Sequence, residues 1–184
     1  MLIGVILAIA IGVIILAWIV SYNSLVKHRN WVEESWAQID VQLKRRFDLI
    51  PNLVETVKGY ATHEQETLTK VIEKRNVIAE PNASRSERVE QDAELNGLLR
   101  QLFALSESYP DLKANQNFLQ LQEELAGTEN KIAYARQAYN SMVMRYNTKV
   151  DSFPSNFIAS VHSFTRNDML DIPDEEKEPV QVRF

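Results

Sequence analysis

The sequence predicts an all-α protein in which a single N-terminal transmembrane helix continues into an antiparallel bundle of long helices. Three observations support this fold class. An apolar run without charged residues extends from Leu2 to Val20, which is long enough to cross a bilayer. Only 5 Gly and 6 Pro occur among 184 residues, and this scarcity favours long helices over loops. Apolar residues then recur three and four positions apart, as in an amphipathic helix.

The apolar run is interpreted as a retained membrane anchor, residues 1–21. Its nineteen residues would rise about 28 Å as a helix, close to the thickness of the hydrocarbon core. A cleaved signal peptide would need basic residues before the apolar core and small residues at the cleavage site. Here the run begins at residue 2, and Trp18, Ile19 and Val20 occupy that zone. Trp18 and Tyr22 suit the aromatic belt of a membrane interface.

Charge next to the anchor predicts its orientation. The N-terminal flank has no Lys or Arg, whereas Lys27 and Arg29 follow the anchor. Because basic flanks stay on the cytoplasmic side, we expect a single-pass protein with its N-terminus outside and its C-terminal domain in the cytoplasm.

Small residues repeat every fourth position inside the anchor, at Gly4, Ala8 and Gly12. Such a stripe allows two membrane helices to approach closely, so these three residues are the predicted site of transmembrane association. The alternative is that they reflect the ordinary abundance of small residues in membrane helices.

The first soluble helix is predicted to continue from the anchor to about Ala79. Apolar positions keep their phase across Pro51, which favours a kink over a chain reversal, although a break near 48–51 giving two helices is the alternative. Gly59 is a weak point in this helix. The turn-forming residues at 80–84 are expected to end it.

Further helices are predicted over about 86–106, with Ser86 as N-cap, over about 114–151, and over about 157–164. The bundle domain therefore covers residues 22–165. From residue 166 to 184 the chain is acidic, and we expect a solvated, disordered tail there.

Composition restricts the function. Net charge is -5, without a clustered basic surface, so the chain is not expected to bind nucleic acid. It contains no Cys and only three His. The Glu-x-x-His motif of di-iron bundles is absent, because Leu25, Tyr60 and Ala159 stand three residues before the histidines. His63-Glu64 lacks the second His of a zinc protease. No catalytic, cofactor-binding or metal-binding residues are predicted, and no enzyme activity is expected.

Two polar patterns remain to be interpreted. Asn140 and Asn147 lie one heptad apart, each after a Tyr. They form a buried ladder that sets helix register, a binding strip, or ordinary positions at a helix margin. The run Lys44-Arg45-Arg46 with Asp48 is the densest charge cluster. A salt-bridge role within or between chains is the favoured interpretation, and a solvated face is the alternative.

Long motifs occur in order along nearly the whole chain: Tyr22–Val26, Arg45–Val54, Val57–Tyr60, Tyr109–Ala114, Thr128–Ala133, Arg136–Asn140 and Phe153–Asn156. With these motifs the chain resembles the LemA family of bacterial membrane proteins. The motif residues expected to make contacts between helices are Arg45, Arg46, Asp48, Pro51, Glu129, Asn130, Arg136, Tyr139, Asn140 and Asn147.

The resemblance implies a long-helix antiparallel bundle behind one helix in the bacterial inner membrane, with the domain in the cytoplasm. It implies no enzyme activity. Similar proteins take part in magnetosome formation, which indicates a role on membranes. Family members are often encoded beside a membrane zinc metalloprotease, which makes such a protease a candidate partner.

The function predicted from the sequence is therefore that of a membrane-anchored scaffold. Copies would self-assemble in the plane of the inner membrane, as a homo-oligomer in contact with the lipid bilayer, and would organise or remodel that membrane. The alternative is a membrane-tethered adaptor for a membrane protease or a signalling partner.

Overall fold

The computed structural model describes residues 1–61, 64–78 and 83–171, and these residues contain helices without a strand. The all-α prediction is therefore confirmed. The helices are α1 (Leu2–Lys58), α2 (Gln65–Ile78), α3 (Arg85–Ser106), α4 (Pro110–Lys113), α5 (Gln116–Asp151) and α6 (Ser155–Val161).

Helix α1 begins with the apolar run, and its side chains from Leu2 to Ala17 are exposed. Among the described residues, α1 is the one helix that is long and apolar enough to cross a membrane. It continues without a break into the amphipathic sequence that follows, with Leu25, Val32 and Ile39 fully buried. The prediction of a long N-terminal apolar helix followed by further helices is confirmed.

The predicted end of this helix near Ala79 was wrong, because α1 ends at Lys58. Tyr60 and Ala61 both donate their backbone N–H to the Val57 carbonyl, at 3.0 and 2.8 Å, and the chain turns there. Gly59 is the poorest helix former in this region. The apolar pattern resumes in α2 because Leu68 and Val71 enter the same core as Val57, not because one helix continues. Pro51 lies inside α1 and does not end it.

Helix α3 begins at Arg85, and its N-cap is Ser84, two residues before the predicted N-cap Ser86. The Ser84 hydroxyl accepts a hydrogen bond from the Glu87 N–H at 3.2 Å, and the Glu87 carboxylate accepts one from the Ser84 N–H at 2.7 Å. This reciprocal capping box satisfies two donors that a helix start leaves unpaired. The hydrogen bond from the Ser84 backbone N–H, together with one from the Ser84 side chain, lowers the pKa of the Glu87 carboxyl.

The chain forms two compact units, one of Met1–Ala37 with Arg136–Met169 and the other of Gln38–Ala135 with the chain from Leu170. In the first unit, α1 and α5 run antiparallel. Trp36 of α1 contacts Tyr139 of α5, whereas Trp18, earlier in α1, contacts Phe157 of α6, which follows the end of α5. The core of the second unit joins α1, α2, α3, α4 and α5 through Ile50, Leu53, Val54, Val57, Ala61, Leu68, Val71, Leu95, Leu99, Leu102, Leu112, Phe118 and Leu125.

The end of the described chain follows α6. Helix α6 stops at Val161, earlier than the predicted residue 164, and Ser163 takes a left-handed φ of 57°. Of the predicted tail, residues 172–184 lie outside the described residues. Within 166–171, Arg166 pairs with Asp151 at 3.2 Å, and Leu170 is buried.

Candidate functional site

The polar contacts between helices form the candidate site, and a buried ion pair lies at its centre. Arg46 is 2% exposed, and its Nη1 donates to Asp92 Oδ1 at 2.8 Å. Arg46 lies on the buried face of α1 between Leu43 and Ile50, so its guanidinium enters the core of the second unit. A buried charge is costly unless it is paired, and the Asp92 carboxylate of α3 supplies that pairing.

A second carboxylate extends this pair to α5. Glu129 Oε1 accepts hydrogen bonds from Asn96 Nδ2 at 2.5 Å and from Arg100 Nη2 at 2.9 Å. Burial alone would raise the pKa of Glu129, but these hydrogen bonds and the charges of Arg100 and Arg46 outweigh it and lower that pKa. We call Arg46, Asp92, Asn96, Arg100 and Glu129 the polar cluster; it connects α1, α3 and α5.

The charged residues of the run Lys44-Arg45-Arg46 with Asp48 differ in burial. Arg46 is buried, whereas Arg45 is exposed and lies 3.7 Å from Glu124. Asp48 and Asn130 are exposed, so the structure does not bring them into the polar cluster. The favoured salt-bridge interpretation therefore agrees with the geometry of Arg46 and applies only weakly to Arg45, since exposed pairs contribute little.

Sequence reasoning missed Asp92, Asn96 and Arg100. A signal for Asp92 was present, because it stands three residues after Val89 and three before Leu95 on the buried stripe of α3. A carboxylate in phase with an apolar stripe indicates a buried partner of opposite charge. The identity of that partner was not accessible, since Arg46 lies 46 residues away along the chain.

A contact between Phe47 of α1 and Arg75 of α2 lies one helical turn before Pro51. Proline has no N–H, so the Phe47 carbonyl four residues earlier loses its usual donor. Arg75 of α2 replaces it, with Nε 3.2 Å from the Phe47 oxygen. The Arg75 guanidinium also lies over the Phe47 ring, 3.6 Å from the ring centroid. The sequence analysis missed Arg75.

In the first unit, the predicted Asn and Tyr positions lie on α5. Asn147 is buried and makes two hydrogen bonds to the backbone of Asn167, at 2.9 and 3.0 Å. The Tyr139 hydroxyl donates to the Asp168 carbonyl at 3.4 Å. Arg136 is buried, and Asn140 is half-buried. Asn147 thus holds the chain segment that returns after α6, whereas the ladder interpretation expected a contact between long helices.

The small-residue stripe of the anchor is exposed. A side-chain carbon added at Gly4 or at Gly12 would meet no atom within 4 Å, and Ala8 is exposed as well. No other described part of this chain therefore packs against Gly4 or Gly12.

Cavities and possible metal ligands were sought in the described part of the chain. The described residues contain no group of three or more His, Asp or Glu placed to hold a metal ion; His63 lies outside them. A cavity of about 420 Å³ between α2 and α3 includes the Lys74–Glu94 ion pair in its lining. Another cavity, of about 330 Å³, lies between α1 and α5. Its lining consists of Leu49, Asn52, Thr56, Asn117, Gln120, Leu121 and Glu124.

The chain matches known proteins over most of its length. The model of the LemA family matches residues 35–184. Protein LemA of Metamycoplasma hominis is 26% identical over 149 residues, covering 81% of this chain and 68% of that protein. Magnetosome protein MamQ 2 of Paramagnetospirillum magneticum is 23% identical over 170 residues, covering 79% of this chain. MamQ of Magnetospirillum gryphiswaldense is 22% identical with the same coverage. The match spans 62% of each of these two magnetosome proteins, less than two thirds of their length.

Proposed function

The chain belongs to the LemA family, and from this premise we propose that it is a membrane-anchored scaffold that self-assembles to organise or remodel the inner membrane. One observation carries the proposal. The anchor carries small residues at Gly4, Ala8 and Gly12, four positions apart on one face of α1, and all three are exposed. Close contact between small-residue faces is a common way for membrane helices to associate.

The family and the relatives support a place on a membrane. The names of these relatives, Protein LemA and Magnetosome protein MamQ, are not enzyme names. The apolar helix and these relatives together indicate a membrane-anchored protein. We extend this to the inner membrane, with the N-terminus outside and the soluble part in the cytoplasm, because Lys27 and Arg29 follow the anchor.

Assembly in the membrane plane needs contacts that repeat. An anchor that meets a different face of its neighbour makes a heterologous contact, and such contacts close into a ring when the rotation between copies allows it. Exposed apolar side chains on the soluble helices supply further contact area; among them Tyr134 is 73% and Val41 62% exposed.

The mass of the full-length protein in mild detergent tests this proposal. We expect size exclusion with light scattering to give a discrete species of many subunits. Gly12→Ile should reduce that mass, because a bulky side chain separates the small-residue faces. Ala10→Ile adds the same side chain off the stripe and should leave the mass unchanged.

A monomer or dimer of the unaltered protein would contradict assembly. That outcome would favour the adaptor, with a membrane protease as the partner to seek by stoichiometric co-purification. An equal loss of mass in both variants would show that the stripe has no special role.

A further inference from the structure

The turn between α5 and α6, together with α6, is free of charged residues. No Asp, Glu, Lys or Arg occurs from Ser152 to Thr165, although 24% of the whole chain is charged. Charges resume on either side at Asp151 and Arg166. Fourteen consecutive uncharged residues outside the anchor are unusual in a chain of this composition.

Large apolar side chains of this stretch are exposed. Phe153 is 87%, Phe157 62% and Val161 55% exposed. Phe157 and Val161 are four residues apart and therefore share a face of α6. The opposite face is buried through Ile158 and Ala159. Helix α6 therefore exposes the large apolar side chains Phe157 and Val161 beside the uncharged polar residues Asn156 and Ser160, while Ile158 and Ala159 pack inward.

Contacts within the first unit place α6 beside the end of the anchor. The Phe157 ring packs edge-on against Trp18, with centroids 5.9 Å apart. Trp18 Nε1 donates to His162 Nε2 at 3.3 Å. Tyr22 lies 4.8 Å from the His162 ring and 5.8 Å from the Phe164 ring, measured between centroids. Trp and Tyr at the end of a membrane helix mark the level of the interface.

From this placement we infer that α6 is a second membrane contact, whose Phe153, Phe157 and Val161 enter the lipid interface beside the anchor. Lipid is the occupant of this face because it is continuous, through Trp18, with the surface that the anchor exposes to the bilayer. An apolar helix face of this kind lies about 5–10 Å into the boundary between headgroups and acyl chains.

The absence of charge gives the contact a defined character. With no Lys or Arg from 152 to 165, binding would depend on apolar area and aromatic rings, not on attraction to anionic headgroups. Arg29 of α1 lies beside this stretch, with its guanidinium 5.2 Å from the Phe164 ring centroid, so we expect the contact to form on zwitterionic vesicles without requiring anionic ones. It would set the depth of the anchor in the bilayer, and it holds whether or not copies assemble.

The chain contains no Cys, so single cysteines can be labelled specifically in the full-length protein. We would label Phe153→Cys, Phe157→Cys and Val161→Cys with an environment-sensitive fluorophore and reconstitute each into phosphatidylcholine vesicles, with and without phosphatidylglycerol. Met144→Cys on α5 is the matched control, because Met144 is 55% exposed, like Val161. Ile11→Cys reports on the anchor itself.

We expect blue-shifted emission at the three α6 positions and quenching by lipids spin-labelled near the headgroup, several-fold stronger than at Met144. Ile11 should be quenched best by lipids labelled deep in the acyl chain. Emission at the α6 positions as water-like as at Met144, and equally quenched by iodide, would overturn the contact. Blue-shifted emission without lipid quenching would also overturn it, since a second copy would then cover the face. A water-exposed Ile11 label would refute the anchor and the contact together.

Discussion

Single residues show how the chain places charge inside its core. Arg46 and Asp92 are both nearly inaccessible and lie 2.8 Å apart. Such a pair is retained only with good geometry, because the loss of hydration offsets much of the attraction. The loss of stability on removing one residue of the pair should therefore differ from the loss on replacing both residues.

We predict that Arg46→Met destabilises the protein by about 3–5 kcal/mol, because it removes the guanidinium that lies 2.8 Å from the buried Asp92 carboxylate. The double variant Arg46→Met with Asp92→Leu should recover most of this loss. Urea unfolding of the full-length protein in detergent would measure both. Lys44→Met, at an exposed position two residues away, is the control and should have little effect.

If the double variant were as unstable as Arg46→Met alone, the pair would not be the source of the loss. The role of Arg46 would then have to come from its other neighbours, Glu129 among them.

Glu129 makes stability depend on pH. Burial would raise its pKa, but the hydrogen bonds from Asn96 and Arg100 and the nearby charges exceed that effect, so the pKa is lowered in the folded chain. A lowered folded pKa means that its stabilising contribution is present above the unfolded value of about 4.3. The contribution is lost as pH falls through the folded pKa.

We therefore predict that Glu129→Gln lowers the urea midpoint at pH 7 and that its difference from the unaltered protein shrinks as pH falls below about 4. Glu123→Gln, an exposed change on the same helix, should show no such trend. A difference that stayed constant down to about pH 3 would contradict the assigned role of the charge.

At the scale of single helices, a hydrogen bond that is missing within α1 is replaced by a donor from α2. Pro51 removes one hydrogen bond inside α1, yet the helix continues, because Arg75 of α2 donates to the Phe47 carbonyl that Pro51 leaves without its donor. Such repair from a neighbouring element is one way for a proline to be tolerated within a helix.

A double-mutant cycle tests this repair. Arg75→Met should cost about 1–3 kcal/mol in the unaltered chain, since a carbonyl loses its donor. In a Pro51→Ala background the same change should cost less, because alanine restores a backbone N–H that can donate to the Phe47 carbonyl. Loss of the contact with the Phe47 ring occurs in both backgrounds and cancels. Equal costs would show that Arg75 acts only through the ring.

At the scale of the whole molecule, the proposed orientation places α6 and the rest of the soluble part on the cytoplasmic side of the membrane. The residues just after the anchor include Lys27 and Arg29, and basic flanks remain cytoplasmic. Lys27 also lies over the Trp31 ring, 4.8 Å from its centroid.

We predict that a compartment-sensitive reporter fused at Phe184 gives a cytoplasmic signal in bacterial cells. Replacing Lys27 and Arg29 with Gln should weaken that preference, because it removes the basic residues that follow the anchor most closely. Replacing Lys44 and Arg45 instead should have less effect. A reporter signal from outside the cytoplasm would refute the proposed orientation.

The helical class, the long apolar N-terminal helix and the ends of α5 to within two residues were predictable from the sequence. These features depend on neighbouring residues: the length of an uncharged run, the three-and-four spacing of apolar positions, and turn-forming residues. The family was also visible in the motifs, and the match over residues 35–184 confirms it.

The polar contacts, in contrast, depend on how the helices pack. Periodicity shows that one face of a helix is buried, but not which element covers it, so the shared apolar pattern of α1 and α2 predicts one helix across Gly59 where the structure has two. For the same reason Arg46 could not be separated from Arg45, and Asp92, Arg75 and Asn167 were not recognised as partners. Their contacts join residues 20 to 46 positions apart, and only packing of the folded chain brings such residues together.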